Sequence, residues 1–473
     1  MISRVLRQGL MAGALGLAGC MMTVALARPD TMNQALTWAY QNNPQLNSQR
    51  AVVRQTDETV PQALSGYRPT VKVTGSTQEG YQSIVQKTTP DGSPLPPQYP
   101  RNDSLQNQSI IGVTGTQTLY NGNQTANKVR QAESNTSAAR ETLRVAEQTI
   151  LLAAATAYMD LLRDGALLEL QRRNVEVLQE QLRQTRDRFI VGEVTRTDVA
   201  QAESRLAMGR ASVLSAEAQY ARSKATYRQV IGVEASNLQP ASPVDRFTPK
   251  RLIEAIEFAR TRHPSIGVAM FGIDAAVLQV KISEGTLYPQ AGLTATVSQQ
   301  WGSAFVTQLQ TFNAFVAGQV TVPLYQGGGE YSLIRQAKEL VGQKRIDLDT
   351  SRDQVQANVV TSWGQLDAAK AQILATQAQV AAAEIALNGV REEARVGQRT
   401  TLDVLNAQQE LVNARTALVT AQHDRVVASY TLLSAVGELN LPKLGILIPL
   451  YDPMVHYQQI RDAWIGVRTP DGR

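Results

Sequence analysis

Two stretches of the chain repeat one set of residue types at one spacing. They are Val191-Gly192-x-x-Thr195-x-x-Asp198-Val199 and Val396-Gly397-x-x-Thr400-x-x-Asp403-Val404. Gly192 and Gly397 can adopt the left-handed conformation that ends a helix. Thr195 and Thr400 can cap the next helix, with Asp198 and Asp403 three residues on as the acidic halves of capping boxes. Each stretch therefore reads as a tight helix–helix turn. A carboxylate at such a turn has a second use: repeated by symmetry around a constriction, it forms an anionic ring that attracts cations. Asp403 carries both readings, whereas Asp198 reads first as a cap. Arg399 stands beside the second turn. Its plain reading is a solvated turn residue.

Other candidate chemistry is weaker. Gly327-Gly328-Gly329 superficially resembles a phosphate loop, but no Lys-Ser or Lys-Thr follows it. A flexible joint between strand and helix is the better reading. His263, His423 and His456 are too dispersed to suggest a metal site or catalytic base by spacing. No nucleophile motif or Ser-His-Asp signature stands out, so the sequence predicts no enzyme, no metal and no cofactor.

Composition bounds the class. The chain has 473 residues, with 5% aromatic and 18% charged residues and a net charge of +5. That mix, rich in Ala and Gln, suits long helices with small packing residues. The basic residues are scattered, which excludes the patch or stripe of a nucleic-acid binder. At the N-terminus, Arg4 and Arg7 precede an apolar run that ends in Ala25-Leu26-Ala27. This reads as a secretory signal peptide over residues 1–27. Leu17-Ala18-Gly19-Cys20 also resembles a lipobox, so Cys20 is either removed with the peptide or, on a minor reading, lipidated. After Ala27 no apolar stretch reaches about 18 residues, so no membrane helix is expected. An exported chain of that kind is periplasmic, secreted or a barrel.

The elements that position the turns are written twice. Ala35-Leu36-x-Trp38-Ala39 and Pro44 recur as Ala255-Ile256-x-Phe258-Ala259 and Pro264, at an offset of 220. Leu119-Tyr120-Asn121-Gly122 recurs as Leu324-Tyr325-Gln326-Gly327 at an offset of 205, which the two turns share. An insertion of 15 residues therefore falls in the first half, expected in a loop from Tyr81 to Leu105 that holds Pro90, Pro94, Pro96, Pro97 and Pro100. Each half reads helix, strand, loop, strand, long helix, helix. The strands are expected at about 70–80, 109–119, 290–299 and 314–322. Their alternation fits a tilted membrane strand and equally a half-buried soluble sheet.

The helical signal is stronger. Val359, Leu366, Ile373, Val380 and Leu387 recur every seven residues, as do Ala407, Ala414, Ala421, Ala428 and Ala435. A sustained seven-residue period implies left-handed supercoiling. Helices are expected over about 124–190 and 328–394, spanning about 100 Å each. The shorter ones, about 33–65 and 195–232, match one long helix when placed end to end. Both strands of each half then lie at the same end. Four strands cannot close a barrel, and lipid tolerates no open edge. Three copies supply twelve strands and can close, whereas two supply eight, a barrel filled by side chains. A homotrimer is favoured.

The doubled turn, the Leu-Tyr-Asn/Gln-Gly junctions and the strand starts Tyr67-Arg68-Pro69 and Tyr288-Pro289 resemble the TolC family of outer-membrane efflux and secretion channels. The resemblance covers about residues 31 to 440. It implies an α+β membrane protein: a trimeric 12-stranded β-barrel, four strands per chain, continuous with a 12-helix coiled-coil α-barrel in the periplasm. It also implies a passive conduit in the outer membrane of a Gram-negative cell, opened by an inner-membrane transporter of ABC or RND type with a periplasmic adaptor. Two acidic rings line the family's aperture. Asp403 matches the first, and Asn406 stands where the second acid would be. Ala394 stands where some members have a gating tyrosine, and Arg399 resembles an entrance-locking arginine, which implies a bond across to the neighbouring hairpin, near Thr197 or Asp198, that holds the entrance shut. The turn Thr401-Leu402-Asp403-Val404-Leu405 leans towards a type I secretion outlet, and Cys20 leans towards efflux. The chain divides into residues 1–27, a first repeat 28–240, a second repeat 241–440 and a tail 441–473 at the tunnel's equator. The alternative is a periplasmic coiled-coil adaptor or scaffold, which the four alternating strands disfavour.

Overall fold

The computed structural model describes residues 30–88, 96–304, 307–470 and 472. The expected signal peptide with Cys20, and Pro90 and Pro94, lie outside them. The first half runs α1 (Met32–Asn42), α2 (Pro44–Asp57), α3 (Thr59–Leu64), β1 (Thr70–Val85), β2 (Arg101–Asn121), α4 (Gln124–Ile190) and α5 (Arg196–Ile231). The second runs α6 (Leu252–Arg262), α7 (Pro264–Glu284), β3 (Gln290–Ala304), β4 (Thr307–Thr321), α8 (Gly329–Arg395) and α9 (Thr401–Ala435), and the tail carries α10 (Pro453–Ile460).

The strands form one antiparallel sheet in the order β1-β2-β3-β4. Its register turns sequence alternation into rows. Val73 pairs with Val113, Val113 with Val297 and Val297 with Ala314, so one face carries an apolar row across all four strands. One residue along, Lys72, Thr114 and Thr296 align on the opposite face. A slip of one residue would exchange the faces, which is why apolar patterning specifies register.

The strands are longer than their alternation suggested, with 16 residues in β1 and 21 in β2. Tyr81 and Leu105, expected in a loop, are paired with each other. About ten residues cross a bilayer. Beyond that length both faces meet water, so Gln78, Glu79, Gln106, Asn107 and Gln108 continue the ladder without any apolar–polar period. The first hairpin's connection narrows to residues 86–100, the second's to 305–306.

Helices continue each hairpin. Next to the sheet, α2, α4, α7 and α8 lie side by side in that order; further away the order is α5, α4, α9, α8. Each level is thus four helices wide. The shorter helices are spliced end to end where the sequence breaks them. Asn43 caps α2, accepting from the Gln45 and Leu46 amides at 2.9 and 3.2 Å, and donates to the Val230 carbonyl at the end of α5 at 2.8 Å. His263 plays the same part for α7, accepting from the Ser265 amide at 3.2 Å, beside Gly437 at the end of α9. Pro44 and Pro264 occupy first-turn positions, where a missing N–H costs nothing.

One expectation needs correcting. Among the described residues, α4 and the stretch Leu252–Leu287 are long and apolar enough to cross a membrane by length and composition. Isolated polar residues such as Asp274 interrupt the runs without making the helices polar. Both belong to the helical wall, where α7 packs between α4 and α8.

The joints between sheet and helix explain the glycines. Gly122 and Asn123 have φ of 64° and 60°, and their counterparts Gly327 and Gly328 have 77° and 85°. Two consecutive left-handed residues turn each strand into its helix, and Asn is the side chain that best tolerates that region. Gly122 has a second constraint, because a Cβ there would lie 2.2 Å from the Gly285 carbonyl oxygen. Gly328 faces open space. Gly328→Asn is therefore expected to leave thermal unfolding in detergent almost unchanged. Gly122→Ala should cost at least about 2 kcal/mol or block barrel assembly, since backbone strain and backbone clash coincide.

Candidate functional site

The two repeated turns form the tips of the α4–α5 and α8–α9 hairpins. In the first, the Gly192 amide donates to the Phe189 carbonyl at 3.0 Å and the Glu193 amide to the Arg188 carbonyl at 2.9 Å. The second repeats this with Gly397 to Ala394 at 3.2 Å and Gln398 to Glu393 at 2.9 Å. These paired bonds are a Schellman ending, and they need the left-handed glycine. Three residues after each glycine, Thr195 and Thr400 open the return helices with full capping boxes. The Thr195 amide donates to Asp198 Oδ2 at 2.9 Å, and the Thr400 amide to Asp403 Oδ2 at 3.0 Å.

Capping sets the charge state of both carboxylates. The Thr195 hydroxyl, then its amide, hold Asp198 below the usual range. For Asp403 the Thr400 amide leads, followed by its hydroxyl. Both aspartates are thus committed to anionic form by the same bonds that shape the turns.

The other sequence-singled residues are less concentrated. Arg399 Nε bonds Glu393 Oε2 at 2.8 Å inside its own hairpin, and Thr197 is exposed on the first turn of α5. Within this chain, therefore, the bond of Arg399 is to Glu393 rather than to Thr197 or Asp198. Asn406 accepts from Arg205 Nη2 at 2.8 Å, which ties α9 of one hairpin to α5 of the other. Ala394 is half-buried and lines a cleft of about 730 Å³ with Arg391, Arg395, Thr401 and, from α4, Glu180 and Arg188.

Sequence reasoning missed the contact that joins the hairpins. Leu405, 2% exposed, packs with Leu178, Leu182, Ala202 and Leu206 of the first hairpin. With the Arg205–Asn406 bond, it closes the tips against each other. A signal existed in the repeat itself. At the offset of 205, Leu405 answers to Ala200, Arg399 to Val194, and Arg205 to Glu410 of opposite charge. The turns are repeated; their flanks are not.

Further from the tips, His423 of α9 links the same two hairpins. Its Nε2 lies 2.9 Å from Asp160 of α4 and its Nδ1 2.8 Å from Asp424. Arg163 bridges Asp160 at 3.0 Å and Asp164 at 2.8 Å, so one of the two acids at His423 has a further counter-charge. Burial pushes the imidazole down, but the hydrogen bonds to Asp160 and Asp424 outweigh it and the net shift is upward. Among the described residues no group of three or more His, Cys, Asp or Glu is arranged to hold a metal ion.

An amphipathic four-stranded sheet set on long paired helices is a wall-like arrangement, with the two capped turns at its far end. The chain belongs to the outer membrane efflux protein family, whose profile matches residues 35–233 and 255–438, one block in each repeat. It is 42% identical over 464 residues, 98% of both chains, to the outer membrane efflux protein BepC of Brucella suis. It is 28% identical to the outer membrane protein TolC of Vibrio cholerae over 85% of this chain and 89% of that one. Among solved structures, the Campylobacter jejuni CmeC outer membrane channel superposes with a TM-score of 0.72 at 16% identity, covering 91% of this chain and 89% of that one. The protein is an outer-membrane exit duct with a periplasmic tunnel, serving efflux or type I secretion. The scaffold alternative falls away.

Two outcomes check this geometry. Leu405→Ala combined with Arg205→Ala should raise single-channel conductance in planar bilayers, by freeing the tips; unchanged conductance rules out the tie. For His423, a folded-state pKa above its ordinary 6.5 gives stability that is fully present below that value and lost as pH rises through the raised one. The unfolding temperature of the detergent-extracted protein should therefore fall as pH rises above about 6.5, a fall that His423→Leu removes.

Proposed function

We propose that three copies of this chain assemble into one continuous duct, a 12-stranded barrel in the outer membrane over a 12-helix periplasmic tunnel. The observation that carries this is the matching of free edges. Among the described residues β1 and β4 each bond on one side only, and below them α2 or α5 on one flank faces outward opposite α8 on the other. A neighbour joined β4 to β1 brings α8 beside α2 and α5 in the same operation. Four elements at every level mean that the copy number that closes the barrel also closes the tunnel.

The tips then converge at the periplasmic entrance. Asp403 of each copy contributes to an anionic ring that concentrates cations, and its capped, stabilised charge suits that role. Asn406 adds no second charge, and Ala394 no ring. Arg399 lies at the α8–α9 turn, on the flank where a neighbour's α5 would sit. There it exchanges Glu393 for the neighbour's Thr197–Asp198 edge and helps hold the entrance shut. Gly192, Gly397, Thr195 and Thr400 are structural. Opening is the work of an inner-membrane transporter of ABC or RND type and a periplasmic adaptor, and cargo follows the transporter. Residues 28–240 and 241–440 act as two pseudo-equivalent wall segments, with 441–473 applied to their outside. Only a passive role is assigned to the chain itself, with no cofactor.

The test is the mass of the detergent-extracted outer-membrane species and its single-channel conductance. A conducting trimer is expected, blocked by multivalent cations from the entrance side. Asp403→Asn should weaken that block at least tenfold, while Asp198→Asn leaves it largely intact. A monomer, a dimer or a non-conducting species overturns the assembly, and unaltered block in Asp403→Asn overturns the ring.

A further inference from the structure

The segment after α9 is not used by the duct as described. It begins in the core, where Leu439, Leu441, Leu444 and Ile446 are buried with α1, α2, α4 and α5. The Tyr451 amide then donates to the Tyr40 hydroxyl at 3.2 Å, and α10 lies against α2. His456 Nδ1 is 3.1 Å from the fully buried Asp57 of α2. On the α4 side, Arg140 lies 4.9 Å over the Tyr457 ring, and Arg461 pairs with Glu133 at 3.7 Å. The segment is thus clamped along the seam between α2 and α4.

It ends at the base of the barrel. Arg68 Nη1 donates to the Ala463 carbonyl at 2.6 Å, and its guanidinium lies 4.7 Å from the centre of the Trp464 ring. Arg68 stands two residues before Thr70, the first residue of β1. Trp464 is therefore held at the level where the chain enters the membrane. From there the segment presents apolar side chains away from the protein: Trp464 is 67% exposed, Ile465 96% and Val467 101%. Tyr67, Tyr120, Tyr288 and Tyr325, all exposed, stand at the same joint between helices and strands.

We infer that this segment is an interfacial anchor, which seats Trp464, Ile465 and Val467 among the phospholipid headgroups of the outer membrane's periplasmic leaflet. An amphipathic indole favours the headgroup level, and barrels carry aromatic girdles there. Arg68 and Arg468 bring cations to the same level, matching the anionic phosphates. The clamp along the α2–α4 seam holds the segment at a fixed height, so α10 and its ion pairs set how deep the apolar end sits. The anchor rests on the outer-membrane placement of the barrel and needs no particular copy number.

The test uses the full chain in phosphatidylethanolamine–phosphatidylglycerol vesicles that contain nitroxide-labelled phospholipid. The chain has four tryptophans, Trp38, Trp301, Trp363 and Trp464, and variants retaining one of them (the others changed to Phe) report separately. Trp301 shares the apolar face of β3 with Val297, so its quenching by labelled lipid verifies insertion; Trp363 on α8 is the water-side control. Trp464 emission is expected to fall at least twofold with a headgroup-proximal label and less with a mid-chain label. Arg68→Ala should reduce that quenching. If Trp301 is quenched by lipid but Trp464 only by aqueous iodide, the segment stands in water and the inference fails. If neither quencher reaches Trp464, a second copy or another part of the chain covers it, and the inference fails equally. Should the Phe variants not assemble, Val467→Cys labelled with a fluorophore gives the same readout.

Discussion

Two rows of backbone amides and carbonyls, along the outer edges of β1 and β4, have no sheet partner among the described residues. In water such edges cost little; in hydrocarbon each unpaired group costs several kcal/mol. The rest of the architecture follows from that constraint. In the proposed assembly the sheet continues into other copies, which requires complementary flanks. The helices below must widen by the same amount per copy, or the wall would tear at the joint. The four-helix width at each level is the solution adopted, and it explains why the helices of each half are spliced end to end. A single helix as long as α4 in each place would have served the wall, but would have left no equator at which a core could form.

That core is the second organising feature. Tyr158 and Tyr227, both fully buried, sit where α1, α4 and α5 meet. The Tyr158 hydroxyl lies 2.7 Å from the carbonyls of Asp30 and Gln239 and so pins the chain before α1 to the linker after α5. Large buried side chains are gathered here because the long hairpins elsewhere are only one helix thick. Their seams bury alanines and single leucines, which suffice to hold two helices together but not to build a compact interior. Stability is thereby concentrated in the middle, leaving the tips held by a few contacts such as Leu405 and the Arg205–Asn406 bond. A gate has to be drawn from the weakly held end of a structure.

The repeat was legible because it is imposed by backbone geometry. Gly192 and Gly397, Thr195 and Thr400, and Pro44 and Pro264 each answer a local demand that allows few side chains. The heptads were legible for the same kind of reason, and the bounds of α4 and α5 follow from them almost to the residue. Strand ends were not, because Gln78 and Asn107 lie where both faces are wet and no period survives. The apolar character of α7 was missed because a single Asp274 breaks the run without altering the helix. At the tips, the residue types named from sequence are there in the expected turns, but the partners of Arg399 and Asn406 could not be read from them.

Local sequence dictates whatever one residue and its near neighbours demand of each other: helix ends, caps, left-handed joints, the seven-residue seam and the alternation that orients a strand. These interactions span fewer than ten residues or so and recur wherever their residue types recur. Tertiary structure alone decided the contacts between distant segments. Arg205 with Asn406, His423 with Asp160, Asp57 with His456 and Arg68 with Trp464 each join residues that have no spacing relation in the chain. The first two depend on the rotation of one long helix about another, which accumulates over many turns, and the last two on the path of the tail back along α2 to the start of β1; no local pattern encodes either.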